Sequence, residues 1–61
     1  MKKHYYLNGE AIKQKDLSAY IGKAALHEIT SLARGKFYMY GLDTSHYVLG
    51  GYGTVTIKVE L

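Results

Sequence analysis

The plainest pattern in the chain is at its end, where Val55, Ile57, Val59 and Leu61 alternate with Thr54, Thr56, Lys58 and Glu60. A strict period of two marks a strand with one face buried. Upstream, "KFYMYGL" places Phe37 and Met39 on one side and Tyr38 and Tyr40 on the other, and its aromatics favour a strand there too. "HYVL" predicts a further short strand, with Asp43-Thr44-Ser45 and Gly50-Gly51 as turns. Near the start, Asn8-Gly9 lies between apolar-rich flanks and suits a two-residue hairpin turn with positive φ at both positions. Leu7 then faces Glu10 and Tyr5 faces Ile12. The alternative is a single short strand that turns directly into the next element.

Between these strands the period lengthens to that of a helix, beginning near Asp16 as a cap and ending at Gly35, with Arg34 and Lys36 near its negative end. Read as one helix, Leu17, Ile21, Ala25, Ile29 and Leu32 fall within about a third of a turn of one another. Lys23, His27, Thr30, Ser31 and Arg34 gather opposite. Gly22 would cost ~1 kcal/mol relative to alanine inside such a helix. Read as two helices, the same stretch breaks at Gly22. The fold class is therefore α+β: an N-terminal strand or hairpin, a helical region that is one helix or a helix-turn-helix, then a two- to three-stranded antiparallel sheet. Residues 1–61 are expected to form a single small domain.

The two-helix reading brings a resemblance with it. "QKDLSAYIGKAALHEITSLARGK" resembles the helix-turn-helix of small phage and bacterial repressors of the Cro type, through Gln14, Leu17, Ser18, Ile21 and Gly22 at the family's spacing. Ala24, Ile29 and Leu32 each follow one position late, so the match takes one extra residue in the turn, Lys23. The third helix of the family has no counterpart here. What the resemblance implies is a second helix from about Ala25 to Arg34 that enters the major groove of double-stranded DNA. Lys23, Leu26, His27, Thr30, Ser31, Arg34 and Lys36 then form the DNA-binding set, Leu26 against a thymine methyl and the cations on phosphate or guanine. Such a protein is a transcriptional regulator that occupies an operator as a dimer.

Composition changes this picture in three ways. A chain of 61 residues with no cysteine has a marginal core and neither disulfides nor thiolate metal sites to support it. A second copy is the expected support, a homodimer joined through Val55, Ile57 and Val59 across a shared sheet. Eight lysine and arginine residues against five carboxylates leave a formal charge of +3, which suits phosphate contacts. Seven tyrosines favour a recognition surface. They support an alternative function: a small protein-binding module or inhibitor that meets a host protein through Tyr38 and Tyr40 or through the edge of the last strand. "RGKFYMY" also suggests a strand on which single-stranded bases stack.

No catalytic constellation is legible, so the chain is expected not to be an enzyme. "GGYG" lacks the lysine and helix start of a phosphate loop, and His4, His27 and His46 stand at no metal-ligand spacing. No cofactor is expected. The absence of cysteine and of any long apolar run points to a cytoplasmic protein with no membrane partner.

Overall fold

A computed structural model describes all 61 residues. The elements are β1 (Lys2–Leu7), β2 (Glu10–Ile12), α1 (Gln14–Ile21), α2 (Lys23–Tyr40), β3 (Thr44–Leu49) and β4 (Gly53–Glu60). The four strands form one antiparallel sheet in the order β2-β1-β4-β3. Both helices cover the same face of it, α1 over β1 and α2 across β3 and β4. This is the expected α+β layout, with the strands on either side of the helical region joined in a single sheet.

The hairpin forms as Asn8-Gly9 predicts. Asn8 has φ 50° and Gly9 φ 86°, and Leu7 pairs with Glu10 and Tyr5 with Ile12. Asn8 also ties this turn to the sheet. Its N–H donates to the Thr54 carbonyl at 2.8 Å, and its Oδ1 accepts from the Thr54 N–H at 3.0 Å.

Gly22 divides the helical region in two. Its N–H still donates to the Ser18 carbonyl at 2.9 Å, and its own carbonyl accepts from Leu26 at 3.1 Å. Helical bonding therefore continues on each side, and one residue alone turns the chain. At φ 93° and ψ 150°, Gly22 occupies backbone space that is essentially closed to residues with a Cβ.

Three expectations about the helices are corrected. The first helix begins at Gln14 with Lys13 as its cap residue and no side-chain capping bond, so Asp16 lies inside the first turn rather than before it. The carboxylate still meets the positive end of the helix. Gly35 does not end the second helix, which continues to Tyr40 and stops at Gly41 in the left-handed conformation. "KFYMY" is thus helical, and no strand exists there for bases to stack on. The reason is packing: Leu26, Ile29, Ala33 and Phe37 recur three or four residues apart and lie on the core, and this outweighs the strand preference of the aromatics.

The core consists of Tyr5, Leu17, Ile21, Leu26, Ile29, Ala33, Val55, Ile57 and Val59. Leu32, placed on the apolar side by the one-helix reading, is exposed, and Leu26 takes the buried position instead. The break at Gly22 resets the helical phase, which exchanges the two leucines. The other face of the sheet is polar and open, carrying His4, His46, Thr56, Lys58 and Glu60 among others. No helix is long and apolar enough to cross a membrane.

A basic flank of helix α2 as the candidate site

At 3.6 residues per turn, Lys23, His27, Ser31 and Arg34 come to one side of α2. All four are exposed. Glu28, the one carboxylate of α2, points roughly a quarter-turn away from their mean direction. The ion pairs of the molecule lie elsewhere, His4 to Glu60 at 3.6 Å and Lys58 to Glu60 at 3.7 Å, both on the open face of the sheet. Lys23 and Arg34 therefore carry their charge on this flank with no carboxylate in reach.

Thr30 borders the same flank from the core side, half-buried, with its Oγ1 3.4 Å from the Tyr5 hydroxyl. That contact fixes which way the helix is rolled. The flank bearing Thr30 looks over β1, and the opposite flank looks over β3, where Lys36 Nζ stands 5.0 Å from the centre of the Tyr47 ring.

Beside the first two turns of α2 the flank borders a groove of about 350 Å³ between the two helices and β1. Lys3, Gln14, Ser18, Lys23, His27 and Thr30 provide its polar lining, over a floor of Tyr5 and Leu26. Lys3 carries no motif and becomes visible only once β1 is placed beside the helices. Gln14 and Ser18 belong to the helix-turn-helix resemblance. The groove can hold an extended polar ligand such as a phosphodiester, for which it offers ammonium, amide and hydroxyl donors.

Of the DNA-binding set, Lys23, His27, Thr30, Ser31 and Arg34 are thus brought together. Two members are not. Leu26 is 5% exposed and packs into the core, out of reach of a base. Lys36 projects from the opposite flank, held over an aromatic face. The expected dimer residues are also relocated. Val55, Ile57 and Val59 are at most 1% exposed within the single chain, because the chain's own two helices cover the face they share. The last strand is likewise no edge, since β4 is paired on both sides.

The tyrosines divide between roles. Tyr5 is buried, and Tyr20 meets Tyr52 edge to face at 5.3 Å and donates its hydroxyl to the Tyr52 carbonyl at 3.2 Å. Tyr38 and Tyr40 are exposed on the last turn of α2 with Met39 between them, the Tyr38 ring lying edge to face with Phe37 at 5.6 Å. No group of three His, Cys, Asp or Glu side chains is gathered anywhere. Comparison with protein-family models, curated proteins and solved structures gives no significant match.

Proposed function

We propose that the protein binds double-stranded DNA through the exposed flank of α2 and acts as a small transcriptional regulator in the cytoplasm, occupying its site without catalysis. The observation that carries this reading is the convergence of Lys23, His27, Ser31 and Arg34 on one side of a helix that starts at a sharp break. Lys23 and Arg34 lie about 16 Å apart along the axis at 1.5 Å per residue, a span comparable with the ~12 Å width of the major groove, so that the two cations can meet phosphates while the residues between them face base edges. His27 and Ser31 occupy the middle and supply the hydrogen-bonding groups that read base edges. Lys3 and Gln14 extend the contact into the groove.

Binding to random duplexes, followed by fluorescence anisotropy across a salt series, tests the proposal. Affinity should fall steeply with salt, and the double variant Lys23→Ala/Arg34→Ala should flatten the log–log slope by about 1.8 if each cation neutralises one phosphate. Both side chains are solvent-exposed, so the variant keeps its fold. A parent chain that fails to bind any duplex at low salt, or a double variant with the parent's slope, overturns the reading.

The protein-binding alternative keeps one specific support. Tyr38, Met39 and Tyr40 are 64%, 73% and 69% exposed on the last turn of α2, so large apolar side chains are open on several sides of the helix end and available to a partner. Binding there would persist in high salt, unlike binding to DNA.

A further inference from the structure

The two edges of the sheet are treated very differently. On one side β2 is only three residues long and begins with Glu10, which blunts it against further pairing. On the other side β3 has six residues, TSHYVL, with no proline, lysine, arginine or carboxylate. Its outward backbone groups can be identified from the ladder. Asp43 accepts from the Val59 N–H at 2.7 Å, so Ser45, Tyr47 and Leu49 exchange bonds with Ile57, Val55 and Gly53 of β4. The N–H and C=O groups of Thr44, His46 and Val48 consequently face the open edge. They form a row of alternating donors and acceptors.

We propose that a second copy of this chain pairs with β3, antiparallel about a two-fold axis at His46, and extends the sheet across both copies. The register is self-complementary. Thr44 of each copy faces Val48 of the other, His46 faces His46, and all the outward groups of the three residues are satisfied. No charged residue of β3 meets a like charge. The helices decide between a second copy and some other strand. Because α2 lies across β3 and β4, the two-fold axis places the α2 helices two strand spacings apart, about 10 Å. That is the distance at which helices pack. The flanks that meet carry Leu32 and Met39, exposed at 51% and 73%, on the side that Lys36 and Tyr47 mark as facing β3. A strand of unrelated origin satisfies the edge but leaves this flank bare; a second copy covers both. The pairing uses none of Lys23, His27, Ser31 or Arg34, so it and the DNA-binding proposal fail separately.

Sedimentation equilibrium of the full chain tests the pairing. The parent should approach twice its 6.9 kDa mass as concentration rises, with amide exchange at Thr44, His46 and Val48 slowing at least ~10-fold from dilute to concentrated solution by mass action. His46→Pro removes an N–H that no group within the chain uses, a change that an edge strand accepts. It should be monomeric with the parent's circular dichroism. Leu32→Arg should weaken association by at least ~10-fold, through a buried charge at the helix contact. A parent that stays monomeric at about 1 mM overturns the proposal, as does fast exchange at the three amides in concentrated solution. So does a folded His46→Pro that dimerises like the parent. If His46→Pro fails to fold, the amide measurement on the parent decides alone.

Discussion

Ile57→Ala is expected to remove a large share of the chain's stability at 25 °C. Ile57 is 0% exposed, in the middle of β4, with Tyr5 beside it on one strand and Ser45 on the other. Removing the side chain costs about 2–5 kcal/mol in lost burial and residual cavity. At roughly 0.05–0.15 kcal/mol per residue, a domain of this size has ~3–9 kcal/mol in total. The substitution therefore removes a large share of the stability, and at the low end all of it. Urea unfolding followed by circular dichroism reads the effect. The same change separates two roles for the residue. At a dimer seam it would give a folded monomer, and within a core it gives a loss of helix and sheet together. A loss below ~1 kcal/mol would mean that Ile57 is not packed as described.

The second expected result turns on a sign. Inside one continuous helix, Gly22→Ala stabilises by ~1 kcal/mol, because alanine is the better helix former. At φ 93° and ψ 150° an added Cβ is strained by the backbone itself, although no neighbouring atom lies within 4 Å of it. The variant should therefore lose about 1–3 kcal/mol, and its melting temperature should fall by several degrees, at roughly 4–8 °C per kcal/mol for a small domain. A rise in melting temperature would establish an unbroken helix and remove the basis for the two-helix reading of the DNA-binding face.

The parts of this fold that could be read in the sequence are those governed by local chemistry. Asn8-Gly9 demands a tight turn, and the alternation from Thr54 to Glu60 demands a strand with one buried face. Each holds wherever the segment is placed. The identity of the buried face was legible as well, but not what covers it. Val55, Ile57 and Val59 look the same to a partner's sheet as to the chain's own helices, and only the tertiary arrangement distinguishes the two. The second helix runs past its apparent end because Gly35 is a strong local stop signal, while the packing of Phe37 behind Ala33 is not local. Leu26 and Leu32 exchanged places for a related reason. A single non-helical residue changes the phase of everything after it, and composition gives no measure of that rotation. Lys23, His27, Ser31 and Arg34 stayed together under either phase because they are spaced by whole turns. The contribution of Lys3 depends on the meeting of separate elements, which no spacing along the chain records.

The strand order has a consequence for how the molecule comes into being. The central pair of the sheet joins β1 to β4, with Lys2 opposite Glu60 and Leu7 opposite Val55, so the middle of the sheet is made from segments near opposite ends of the sequence. Closing it brings together residues separated by nearly the whole chain, which makes this the entropically costliest contact and slows folding relative to the local hairpins. During synthesis, β1, β2, both helices and β3 emerge before β4, the strand that joins the two halves of the sheet. Tyr5, Leu17, Ile21, Leu26 and Ile29 lack the Val55, Ile57 and Val59 part of their core until residues 53–60 follow, so the centre of the sheet closes last.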